Sequence, residues 1–319
     1  MGSGLVEWVM EVVRLGRHSV TLTPQRAPNH PAPCTNAIVF SRGSTVHTYR
    51  WHSGNSHNLV PMTSRRNEPI YSIAIGAGRT LFKLLRVQPR VTGLQNLPDS
   101  GGAVLAITHF GYLDFALAEW MMWQKNKRRI RFLAKKGAFD QPLIGTFMRG
   151  MGHIAVDMTH GAEAYARAVD ALKAGEVLGV FPEGGVNASF TVRDLKTGTV
   201  RMAAEAGVPI IPIAIWGGHR LLTKGHKRSL SEAYGVPISF VVGEPITVTS
   251  ADDMQEQTHA LHDTMQAMVD SAQERYPEDG TGAWWQPAHL GGTAPTPEEA
   301  AIAEAERRRK RELAKAASK

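Results

Sequence analysis

Two short segments of the chain carry residues of the kind that do chemistry. The first is His109-Phe110-Gly111-Tyr112-Leu113-Asp114, a His-x4-Asp unit; the second, 74 residues further on, is Phe181-Pro182-Glu183-Gly184. A histidine with one ring nitrogen held by a carboxylate keeps the other for taking a proton from an alcohol. The second segment ends an apolar run and presents a polar group on a turn. Gly184 and Gly185 there permit close backbone approach and positive φ, the conditions under which main-chain amides face a phosphate. Each segment also has a plain structural reading, a hydrogen-bonded histidine for the first and a strand-to-loop turn for the second.

The elements around them decide how far they count. Residues 103–107 form a continuous apolar run ending at the histidine unit. After it the pattern predicts a helix at 113–123, a strand at 130–134, a helix at 141–149, a strand at 154–157 and a helix at 162–173 stopped by Gly175. A strand at 177–181, a helix at 199–206 closed by Gly207 and a strand at 210–215 follow. This order predicts an α/β fold with a mainly parallel twisted sheet flanked by helices. His109 and Glu183 then lie just past the carboxyl ends of two strands, the edge at which open α/β sheets place their ligands. Residues 237–248 add one or two strands broken at Gly243-Glu244-Pro245, and 251–275 a helix.

The flanks differ in kind. Residues 1–61 are rich in His, Pro, Ser, Thr and Asn, show no sustained period and read as a poorly ordered extension. Met62 is followed by sequence that behaves like an ordinary start, so an over-extended reading frame is one account of that stretch. The catalytic domain is expected over 62–280, opening with an N-terminal amphipathic helix at 69–87. That helix places Ile70, Ile73, Ala74, Leu81, Phe82, Leu84 and Leu85 mostly on one face, and either packs on the core or lies in a membrane interface. Residues 281–319 read as a Gly/Pro connector and a charged helix or tail. Trp284 and Trp285 either anchor at a headgroup boundary or pack on the domain, and the tail is either solvated or drawn to anionic lipid.

Composition narrows the partners. The 319 residues are 43% hydrophobic, and Cys34 is the single cysteine, which removes intrachain disulfides and thiolate metal sites and makes a reducing compartment the default. The net charge of +7 is clustered in Lys125, Lys127, Arg128, Arg129, Arg131, Lys135 and Lys136, and again in Arg307 to Arg311. Such clusters attract anionic lipid, phosphorylated co-substrates or nucleic acid. No zinc-finger spacing, ribonucleoprotein motif or helix-turn-helix pattern accompanies them, so nucleic acid is not expected as a partner. No window has the apolar length of a transmembrane helix, and the first twenty residues are unlike a secretory signal. His153, His160, His219 and His226 lack a carboxylate at a metal-binding spacing and read as loop or core histidines; no metal site is expected. No dinucleotide or Walker-type glycine loop occurs.

Thr108-His109-x4-Asp114, then residues 152–157, then Phe181-Pro182-Glu183-Gly184, then Val208-Pro209-Ile210-Ile211-Pro212 resemble, in order and spacing, four sequence blocks of a known family. These are the blocks of the PlsC-type glycerophospholipid acyltransferases, the 1-acylglycerol-3-phosphate O-acyltransferase family, and the resemblance spans about residues 70–250. It implies transfer of a fatty acyl group from acyl-CoA or acyl-carrier protein to the hydroxyl of a lysophospholipid, most simply 1-acylglycerol 3-phosphate giving phosphatidic acid. It further implies a peripheral or monotopic enzyme on the cytoplasmic face of the cell membrane, with no tightly bound cofactor. Carried onto this chain, His109 is the general base, Asp114 holds its tautomer, and Glu183, Gly184 and Gly185 belong to acceptor binding.

The chemistry is consistent with that. A thioester is already activated, so the enzyme needs a base, an oriented acceptor and donors for the oxyanion, without a serine or cysteine nucleophile. Two departures stand out. Met158 occupies a position where the family has an arginine, and Glu183-Gly184-Gly185-Val186-Asn187 stands where it has Glu-Gly-Thr-Arg. Lys196, Arg193, Arg201, Lys135 and Lys136 are the candidate replacements for gripping a phosphate. Alternatively the acceptor is another polar lipid or glycolipid, or the scaffold binds membranes without turnover.

Overall fold

The computed structural model describes residues 37–42, 45–50, 69–157, 161–227 and 230–317 and divides into two compact units, Met1–Pro69 and Ile70–Lys319. In the first unit β1 (Ala37–Arg42) pairs antiparallel with β2 (Thr45–Arg50). This hairpin lies within 1–61, the stretch expected as a poorly ordered extension. Ile38, Val39 and Phe40 face Tyr49, Thr48 and His47, and such β-branched and aromatic residues suit a strand over a length too short to establish a period. The rest of 1–61 lies outside the described residues.

The second unit begins with α1 (Pro69–Leu84) and the strand β3 (Gln88–Thr92). There follow β4 (Ala103–Ile107), α2 (Asp114–Asn126), β5 (Ile130–Lys135), α3 (Lys136–Phe139), α4 (Pro142–Gly150) and β6 (Ile154–Val156). Next come α5 (Gly161–Lys173), β7 (Val177–Val180), α6 (Gly198–Ala206) and β8 (Ile210–Trp216). The chain closes with α7 (Leu230–Ala233), β9 (Pro237–Val242), α8 (Met254–Glu274) and α9 (Pro297–Ala317).

The seven strands from β3 to β9 form one sheet in the order β3-β9-β8-β4-β7-β5-β6, parallel at every pairing except β8 with β9. The uninterrupted apolar strands β4 and β8 sit centrally and are buried along their whole length, as strands covered on both faces must be. Val104 and Ala106 join the core formed with α5, α6 and α8, where Ala168, Val200, Met265 and Val269 are buried. The intervening Leu105 and Ile107 point to the opposite face by strand alternation. Because β4, β5, β6, β7 and β8 run the same way, the segments following them gather on one edge. β3 was not anticipated from sequence: it is an exposed edge strand containing Pro89, a residue that edge pairing tolerates.

The break at Gly243-Glu244-Pro245 is a bulge. Ile213 pairs with Val242 and Ile210 with Ile246, so the β9 side carries one residue more than β8. Pro212 has no N–H to give at that point and only accepts, from Gly243 N–H at 2.9 Å.

α1 packs on the domain. Tyr71, Ile75 and Phe82 are buried, and the Tyr71 hydroxyl contacts Glu119 and accepts Ile130 N–H at 2.8 Å. The apolar residues do not share one face, however: Ile73 and Leu84 are 66% and 53% exposed, on the side away from Tyr71. Among the described residues no helix is long and apolar enough to cross a membrane. Residues 281–317 belong to the same compact unit as the sheet. Trp285 and Ala294 are buried in the α8 core, Trp284 stacks on His226 at 3.6 Å, and Lys224 pairs with Glu304 of α9.

Candidate active site

β4 ends at Ile107, and Asp114 is the first residue of α2, so the His-x4-Asp unit is the connection between a central strand and a helix N-terminus. His109 Nδ1 stands 3.2 Å from Asp114 Oδ2, which also accepts Gly111 N–H at 2.8 Å. An ionised Asp114 only accepts, so in that state Nδ1 carries the proton and the Nε2 lone pair is available. Among the described residues nothing bonds Nε2. Burial pushes the Asp114 carboxyl above its ordinary range, opposed by the His109 and Gly111 contacts. Among the described residues its buried Oδ1 has no donor, and the two bonds above are both made to Oδ2. A Cβ on Gly111 would stand 3.0 Å from His219 Cα and 3.1 Å from Asp114 Oδ1, close enough that those neighbours would have to give way by a few tenths of an ångström.

The imidazole is 15% exposed and stacks on Phe181 at 4.0 Å and 19°, with Phe181 stacked on Phe132 at 5.5 Å. Glu183 lies at the end of the same turn. Its side chain is buried, and Oε1 accepts His109 N–H at 3.0 Å, while Asn187 Nδ2 donates to Oε2 at 3.3 Å. Asn187 N–H in turn donates to the His109 carbonyl at 2.8 Å. Glu183 and Asn187 therefore tie the turn after β7 to the His109 loop. Its carboxyl is pushed up to about 7, chiefly by burial, against the pull of the His109 amide and Arg193.

The cations proposed to replace the missing arginines separate into two groups. Arg193 donates to the Gly185 carbonyl and has Nε 3.8 Å from Glu183 Oε2. Lys196 is exposed and lies along Gly184, whose φ is +77° and whose Cβ would stand 3.1 Å from Lys196 Nζ. Lys196 N–H donates to the Pro182 carbonyl at 3.1 Å, which ties this segment to the turn. Lys135 and Lys136 are exposed where β5 meets α3, on the same sheet edge, with Lys136 Nζ 3.5 Å from Asp140. Arg201 is not brought to the turn: its guanidinium lies 5.7 Å over the ring of Tyr165 on α5, because α6 turns that face toward α5. Met158 and His160 lie outside the described residues.

Val186 and Asn187, where the resemblance has an arginine nearby, are buried and structural. His153 and His219 are core residues: His153 Nδ1 accepts Phe132 N–H at 3.1 Å, and His219 is wholly buried. Sequence reasoning passed over Thr223, whose Oγ1 donates to the Phe110 carbonyl at 2.6 Å; a lone threonine 113 residues away carries no local signal.

Comparison with known proteins gives the family. A family model described as Acyltransferase matches residues 88–216. The chain is 30% identical over 184 residues to the 1-acyl-sn-glycerol-3-phosphate acyltransferase of Bacillus subtilis, covering 56% of this chain and 82% of that one. It is 28% identical over 166 residues to a chloroplast 1-acyl-sn-glycerol-3-phosphate acyltransferase of Arabidopsis thaliana, spanning 51% of this chain and 44% of that protein. The crystal structure of the acyltransferase PlsC from Thermotoga maritima shares the fold, with a TM-score of 0.55 at 20% identity over 68% of this chain and 86% of that one. With the relative from Bacillus subtilis matched over most of its length, the chain is an acyltransferase and belongs to the 1-acylglycerol-3-phosphate O-acyltransferase family.

Proposed function

We propose that the enzyme moves a fatty acyl group from a thioester, acyl-CoA or acyl-carrier protein, to the free hydroxyl of 1-acylglycerol 3-phosphate, with His109 as general base. The observation that carries this reading is the 3.2 Å contact of His109 Nδ1 with buried Asp114, which leaves Nε2 free to act. Nε2 takes the hydroxyl proton as the acceptor oxygen bonds to the thioester carbonyl carbon. Collapse of the tetrahedral intermediate breaks the C–S bond, and the imidazolium returns the proton to the leaving thiolate. Asp114 supports the transient positive charge on the ring, as in other histidine–carboxylate pairs.

Lys196, beside the Gly184-Gly185 turn, is assigned to the acceptor phosphate, with Lys135 and Lys136 along the same edge adding to the positive field. The enzyme is assigned to a membrane surface as a peripheral protein. Supporting this, the outward side of α1 carries Ile73 and Leu84 with Arg79 and Lys83 beside them, and α4 exposes Leu143 and Phe147. A second reading keeps the chemistry and changes the acceptor to a polar lipid with a larger head group, and buried Val186 and Asn187 favour it because no arginine stands there.

Product analysis by mass spectrometry, using mixed acyl donors and a panel of lysolipids, tests both. Phosphatidic acid as dominant product supports the first reading, and another acylated lipid the second. Undiminished turnover by His109→Ala would sink the base assignment.

A further inference from the structure

The loop that leaves β8 lies against the base loop and is bonded to it twice. Thr223 Oγ1 donates to the Phe110 carbonyl at 2.6 Å, and Tyr112 N–H donates to the Leu222 carbonyl at 2.8 Å. With Glu183 on the His109 amide and Asn187 on the His109 carbonyl, the peptide groups on both sides of the base are held from different parts of the chain. Thr223 is buried, and it bonds the carbonyl of the same peptide group whose N–H goes to Asp114 Oδ2.

The same loop is itself held from the C-terminal region. His219 stacks on Phe190 at 4.2 Å and its Nε2 lies 3.0 Å from the Trp285 carbonyl, so Nε2 is the donor. Burial drives the His219 pKa down to about 3, so the ring stays neutral and keeps this one bond throughout the physiological range. Arg220 reaches Tyr276 Oη at 2.9 Å and Glu278 at 2.5 Å, and lies 4.5 Å over the Trp285 ring. Apart from Phe190, these residues fall after residue 216, where the Acyltransferase match ends.

We propose that Thr223 is a positioning residue for His109, and that His219 and Arg220 extend this hold to the Tyr276 to Trp285 segment. The proposal rests on the reading of His109 as the base. Proton transfer and attack are steep in distance, so a base loop freed at one carbonyl loses rate without losing substrate affinity. A hydroxyl at 223 supplies what the Phe110 carbonyl needs; a methyl in its place leaves that carbonyl buried and unpaired.

Thr223→Val and Thr223→Ser in the full chain, assayed with acyl-CoA and the best lysolipid acceptor, test it. The valine variant is expected to lose about tenfold in kcat with both KM values within about twofold, and the serine variant to recover most of the loss. Circular dichroism gives the folded fraction used for normalisation, and Thr223→Ala, judged by the same criteria, replaces valine if that variant does not fold. A valine kcat within about twofold of the parent overturns the proposal, as does a loss that tracks KM or that serine fails to restore. His109→Ala is measured alongside: if it retains turnover the base reading itself fails, whereas an inactive His109→Ala beside a fully active Thr223→Val removes only the positioning role.

Discussion

Glu183 Oε1 accepts the backbone N–H of His109 at 3.0 Å, a bond between residues 74 apart in the chain. The turn after β7 therefore sets the backbone of the loop after β4, and the two motifs form one device. Through this bond the glutamate meets the His109 peptide and not its ring.

The base pair should behave as a unit. His109→Ala is expected to lower kcat by about a thousandfold or more, and Asp114→Asn by a comparable factor, because an amide presents either N–H or C=O to Nδ1 and no longer enforces one tautomer. Initial rates of acylated product formation, compared with melting curves, separate this from unfolding.

Glu183 links stability to pH. Its carboxyl is raised to about 7 in the fold from an ordinary value of 4.5, so between those values the folded protein binds more protons than the unfolded chain. The contribution is complete below the unfolded value and is lost as pH rises through about 7, on the order of 3 kcal/mol in all. Glu183→Gln keeps an oxygen for the His109 amide and does not titrate. Denaturant unfolding at a series of pH values should show a slope in the parent over this window that is smaller in the glutamine variant.

The phosphate assignment separates Lys196 from Arg201. Lys196→Met is expected to raise the KM for 1-acylglycerol 3-phosphate by about tenfold with little change in the KM for the acyl donor. Arg201→Met, which removes only a contact with Tyr165, should leave both constants unchanged. Steady-state kinetics with each substrate varied in turn check the pair.

The exposed side of α1 is open to a direct assay. Ile73→Glu combined with Leu84→Glu should weaken co-sedimentation with phosphatidylglycerol vesicles by about tenfold or more, since both side chains are more than half exposed and contribute apolar area to the interface. Soluble-substrate turnover should persist, because neither residue touches the base. Unaltered vesicle binding would count against α1 as the docking surface.

By itself the amino-acid sequence determined the strands and helices that bury continuous or periodic apolar faces. β4, β7 and β8 emerged within a residue or so of their bounds, since an unbroken apolar run admits few other placements. It also brought out His109 and Asp114 as a pair, found 3.2 Å apart, because five residues across a strand-to-helix turn is a local geometry. What depended on tertiary structure was less visible. β3 is polar, contains Pro89, and becomes a strand by pairing with β9. The helix at 69–84 showed its amphipathic pattern, but which apolar residues were buried was decided by Tyr71 docking at Ile130. The role of Glu183, the diversion of Arg201 and the bond from Thr223 depend on contacts between residues far apart in the chain, and spacing along a sequence carries no record of those.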